Sequence, residues 1–99
     1  MANQKFIFRA NRAGVFFGEL ASQENTPAGV IVEINNCRRI WYWNGAASLS
    51  ELAMVGPKKP QDCKFSVVVP SIKVIDVIEI IPCTEDAIKA IEGVKEWKA

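Results

Sequence analysis

Apolar and polar positions alternate over most of the chain, and the pattern predicts short strands. In residues 5–9, Phe6 and Phe8 fall on one face and Ile7 on the other. Asn11-Arg-Ala-Gly14 reads as a turn, and residues 15–20 as a second strand. Gly18 inside that strand signals a bulge or a close backbone approach. Residues 22–27 form a polar loop tip. Residues 28–34 are rich in β-branched side chains and predict a third strand. Asn35-Asn36 is the expected turn, because Asn tolerates positive φ. Arg38-Arg-Ile-Trp-Tyr-Trp43 then returns as the partner strand of a hairpin. Residues 63–69, 72–75 and 77–81 predict three more strands, punctuated by Pro70-Ser71 and Asp76.

Two segments follow helical rather than strand periodicity. Ser48-Leu-Ser-Glu51 is a capping box, in which the Ser hydroxyl accepts from the third amide and the Glu reaches back. Leu49, Leu52 and Ala53 share one face, Gly56 supplies the C-terminal cap, and Pro57 blocks continuation. Thr84 can cap a second helix, with Glu85 and Asp86 where the helix dipole favours anions. Ala87, Ile88 and Ile91 make its inward stripe and Gly93 its stop. Trp97 belongs to a last irregular turn or to a docking tail. The total is about six or seven short strands, a short central helix and a C-terminal helix. The expected fold is α+β and β-rich: a single domain over residues 1–99, built as a small, partly open antiparallel barrel of the SH3 or Sm type.

Composition supports a folded chain. Of 99 residues, 49% are hydrophobic and 23% charged, which argues against disorder. The formal net charge is +1, so any anion site must come from a local cluster of cations. The most apolar stretch, residues 65–81, is interrupted by Ser66, Pro70, Ser71, Lys73, Asp76 and Glu79. It falls short of the roughly 20 clean apolar residues of a membrane helix. The start of the chain has no signal-peptide pattern, so a cytosolic setting is expected. Cys37, Cys63 and Cys83 fit no metal-ligand spacing and predict three reduced thiols.

The chain has no histidine, so the usual general base at neutral pH is missing. No phosphate loop, nucleophile elbow or metal constellation is present. The expectation is a binding protein rather than an enzyme, with no cofactor and no metal. The block Arg38-Arg-Ile-Trp-Tyr-Trp43 packs three aromatics and two guanidiniums into six residues. On a strand, Arg39, Trp41 and Trp43 share one face while Arg38, Ile40 and Tyr42 share the other. Aromatic faces stack nucleobases, and guanidinium pairs with phosphate. The same side chains dominate protein interfaces, or Trp41 and Trp43 are core and the stem of Arg39 covers a core edge. Arg9, Arg12 and Lys58-Lys59 join such a site only if the fold brings them near.

The run from Arg38 to Ala53 resembles a family of small proteins encoded by tailed phages and prophages. The resemblance continues through Pro60-Gln-Asp-Cys-Lys-Phe65, Val77-Ile-Glu-Ile-Ile-Pro-Cys-Thr84, Ile91-Glu-Gly-Val94 and Trp97-Lys98. It covers most of the chain from Val15 onward, with a longer entry over residues 1–9 than in that family. The resemblance implies a phage accessory protein in the cytoplasm of a host bacterium. Small phage proteins of this size often counter host defence, which implies one of two alternative partners. One is a small anionic nucleotide signal, such as a cyclic nucleotide, that is bound and sequestered without cleavage. The other is a host defence protein, such as a CRISPR effector, that is inhibited. For the nucleotide the candidate ligand-binding residues are Arg38, Arg39, Trp41 and Trp43, helped by Arg12. A chain this short offers a shallow pocket, so a homo-oligomer sharing the site is expected. A structural role in the virion has no distinguishing feature here.

Overall fold

Five strands and two helices form in the computed structural model, which describes residues 4–97. The strands are β1 (Phe6–Ala10), β2 (Gly14–Thr26), β3 (Gly29–Tyr42), β4 (Lys64–Phe65) and β5 (Val69–Pro82). The helices are α1 (Leu49–Val55) and α2 (Glu85–Glu92), with a 3₁₀ turn at Pro60–Asp62. Lys98 of the phage pattern and the first residues of the long entry lie outside the described residues. Among the described residues, no helix is long and apolar enough to cross a membrane.

The sheet order is β2-β1-β5-β3-β4, every pairing is antiparallel, and β2 also pairs with β3. Four strands thus close a ring. β3 stays on β5 only as far as Cys37↔Val69 and beyond that pairs with β4. The ring is therefore partly open, and the expected small α+β barrel with a short helix and a C-terminal helix is what forms.

The strands are fewer and longer than the punctuation predicts. Asn35-Asn36 is not a turn: β3 runs through it, and Asn36 takes φ 49° as a bulge where the register with β2 shifts. The extra residue puts Ile34 and Cys37, three apart, in the same core. Asp76 does the same for β5, at φ 61°, so that Val74 and Val77 face one core. Pro70 is tolerated because β5 pairs with β1 only from Val77 onward, leaving the Pro70 side of the strand unpaired with β1. The expected loop at residues 22–27 is strand as far as Thr26, which pairs with Gly29 across a tight turn.

The two faces of the barrel wall bury two cores. Phe8, Phe16, Val32, Ile34, Cys37, Val74 and Val77 fill one. Ile7, Phe17, Ile40 and Phe65 meet Leu52, Ala53, Ala87 and Ile91 of the helices in the other. Both helices start on their expected caps. Ser48 Oγ accepts from Glu51 N at 3.2 Å, while Glu51 Oε1 accepts from Ala47 N at 2.8 Å. Thr84 Oγ1 accepts from Ala87 N at 3.1 Å and donates to Met54 O at 2.6 Å, tying the start of α2 to the end of α1.

Candidate functional site

The β1–β2 turn, β3 and β5 converge around a groove of about 620 Å³ that opens over Phe16 and Val74 of the barrel core. Arg12, Arg39 and Lys73 line it, together with Asp76. Arg39 is the best fixed of the three cations. Its guanidinium lies 4.6 Å from the Phe16 ring centroid, and its Nη1 donates to Ala13 O at 2.7 Å. Its backbone N–H donates to Ser66 Oγ at 2.7 Å. By holding Ala13, Arg39 also fixes the turn that presents Arg12. The other end of the turn is held by Asp76: Asn11 N donates to Asp76 O at 2.9 Å, and Asn11 Nδ2 to Asp76 Oδ2 at 3.1 Å. Among the described residues, neither Arg12 nor Lys73 forms an ion pair. The groove can therefore offer cationic donors to an anion that enters from solvent.

The five residues expected from sequence do not form one surface. Arg39 and Arg12 come together in the groove. Arg38 does not: strand alternation turns it to the helix side, where it is only 3% exposed. There it donates to Ser66 O at 2.9 Å and Ile91 O at 2.8 Å, with its guanidinium 5.3 Å from the Phe65 ring centroid. Burial pushes its pKa down, and the carboxylates of Glu96 and Glu92 act against that shift. Trp43, just past the end of β3, packs partly buried against the helix-side core. The shared face expected for Trp41 and Trp43 is lost there, because the pairing becomes irregular between Ile40 and Tyr42.

Trp41 is 64% exposed and does not line the groove. It meets Trp97 edge to face at 6.3 Å, and Lys64 Nζ lies 5.2 Å over the Trp97 ring. Trp97 docks through its backbone, donating to Phe65 O at 2.9 Å, so the tail reading holds although its ring stays 50% exposed. Two groove residues, Lys73 and Asp76, had no sequence signal as site residues. Each lies far along the chain from Arg39 and reads as ordinary interruption of an apolar run. The one hint was Asp76 acting as punctuation inside β5.

No curated protein and no solved structure matches the chain. Residues 3–91 match a family described as a domain of unknown function, DUF6948, a span that includes both the first strand and the groove. With nearly its whole length matched, the chain belongs to the DUF6948 family.

Proposed function

We propose that this protein is a phage accessory protein that works in the host bacterial cytoplasm by binding and sequestering a small anionic nucleotide signal without cleaving it. The observation that carries the reading is the convergence of Arg12, Arg39 and Lys73 on one groove from three separate parts of the chain. A phosphorylated ligand would be neutralised there by charge-assisted hydrogen bonds. Trp41 follows Arg39 by two residues, roughly 7 Å along the strand, so a ligand longer than the groove would meet an exposed aromatic face. Release of the ligand intact fits a chain without histidine. The phage and counter-defence setting rests on the sequence resemblance. A symmetric homo-oligomer would deepen the groove into a shared pocket.

The test is calorimetric titration with a panel of linear and cyclic nucleotides at two salt concentrations, with the protein mass measured by light scattering. Binding should weaken as salt rises. Arg39→Ala should weaken it by about 1.5–3 kcal/mol. Heat-denatured complex should return uncleaved nucleotide. No binding across the panel, with a host protein recovered in stable complex instead, would overturn the reading.

That outcome would favour a second reading, an inhibitor of a host defence protein. Its support is the exposed Trp41–Trp97 pair beside Lys64, since aromatic rings with an adjoining cation are common anchors at protein interfaces.

A further inference from the structure

The groove is not uniformly cationic. Asp76 is half-buried among Arg12, Arg39 and Lys73, and among the described residues its carboxylate forms no ion pair with any of them. The chain holds it there by unusual means. Its backbone sits at φ 61°, a conformation that few residues other than glycine, asparagine and aspartate adopt readily. Asn11 clamps it twice, through backbone N–H to carbonyl and through Nδ2 to Oδ2. On the other side stands Gly29, at φ 131°, where an added Cβ would lie 3.0 Å from Asp76 Oδ1. A carboxylate can accept about four hydrogen bonds, and Asn11 supplies the side-chain donor seen here.

We propose that Asp76 makes the groove selective for ligands that join an anionic group to a neutral hydrogen-bond donor, as a nucleotide joins phosphate to ribose hydroxyls and base amines, against bare phosphate anions. This rests on the groove being the anion site. A naked polyphosphate gains from the three cations but meets repulsion from the carboxylate. A nucleotide can set its phosphates on the cations and point a hydroxyl or amine at Asp76. The mixed charge of the groove thus rejects the abundant inorganic phosphates that a purely cationic groove would collect.

Asp76→Asn isolates the charge. Asn adopts the same left-handed backbone, and its side-chain oxygen can still accept from Asn11. The experiment measures affinities of inorganic pyrophosphate and of ADP for the native chain and for D76N, with melting curves alongside. The native chain should bind ADP about tenfold or more tightly than pyrophosphate. D76N should strengthen pyrophosphate and erase most of the preference for ADP, a change that general damage to the fold, which weakens both probes, does not produce. Equal native affinities for the two probes would overturn the selectivity whatever the variant does. So would a native preference for ADP that persists unchanged in D76N. If neither probe binds the native chain, the anion groove itself falls and the selectivity with it.

Discussion

Arg38 on β3 and Ile91 in α2 are joined by a hydrogen bond of 2.8 Å from guanidinium Nη1 to the Ile91 carbonyl. The same side chain reaches Ser66 O, so one buried cation fastens the C-terminal helix and the segment after β4 to the barrel. Its Nη2 has no hydrogen-bond partner among the described residues. Arg38→Ala should therefore destabilise the fold by about 2–4 kcal/mol, from two hydrogen bonds made by a charged donor. Arg38→Lys should recover only part of this, because an ammonium lacks the planar fork that meets two carbonyls at once. Urea melts of the three proteins measure it; an unchanged midpoint in Arg38→Ala would refute the structural role.

Trp41 and Trp43 should separate cleanly on substitution. Trp41→Ala removes an exposed ring and an edge contact, and is expected to cost about 1 kcal/mol or less. Trp43→Ala removes packing against the helix-side core and should cost about 2–3 kcal/mol. Thermal melts of both variants decide it, and the reverse order would mean that Trp41 is structural. A loss of ligand or partner binding in Trp41→Ala can then be read without correction for unfolding.

Gly18 lies where β2 crosses closely over β3. A Cβ there would stand 2.6 Å from Ile34 Cγ2 and 2.8 Å from Asn35 O. The backbone oxygen cannot swing away as a flexible side chain can. Gly18→Ala is expected to destabilise by about 1–3 kcal/mol through overpacking. Ile34→Val beside Gly18→Ala should not recover native stability, since valine keeps the Cγ2 methyl and the clash with Asn35 O also remains.

The cysteines give a pH signature. Burial pushes the Cys37 thiol up to about 12 from the ordinary 9.0, and the Cys83 thiol up to about 11. Above the ordinary value the unfolded chain loses these protons while the folded chain keeps them. Their contribution to stability is therefore intact below about pH 9 and falls as pH rises toward 11–12. Denaturation midpoints at pH 7.5, 9 and 10 should decline over the upper interval, and Cys37→Ala should flatten that decline. All three thiols are free and buried, so a disulfide reagent at pH 8 should react slowly with native protein and find three thiols after denaturation.

Local signals in the sequence were reliable where local chemistry decides structure. Ser48 and Thr84 cap the helices they were expected to cap, because a capping hydroxyl needs only neighbours within one turn. Gly18 marked a close approach for the same reason: a missing Cβ is visible in the sequence itself. Asn36 was recognised as suited to positive φ and Asp76 as punctuation between strands, but either signal serves a turn and a bulge equally. Only cross-strand pairing, which is non-local, selects the bulge. The site was legible by halves. Arg39 and Arg12 were both candidates, yet their meeting depends on β2 laying the turn beside β3. Lys73 and Asp76 reach the groove through the β3–β5 pairing, and no spacing along the chain announces it.

The pairing of β1 with β5, at Ile7↔Ile81, joins strands from opposite ends of the described chain. No local hairpin can stand in for it, so closure must await the last strand. Such topologies fold slowly, on the order of milliseconds to seconds. During synthesis at about 5–20 residues per second, the β1 edge and its Phe6, Ile7 and Phe8 side chains stay uncovered for several seconds. An open edge of that kind invites pairing with another nascent chain. Substitutions in the last stretch of β5 should therefore lower the yield of soluble protein more than they lower the melting temperature of what does fold.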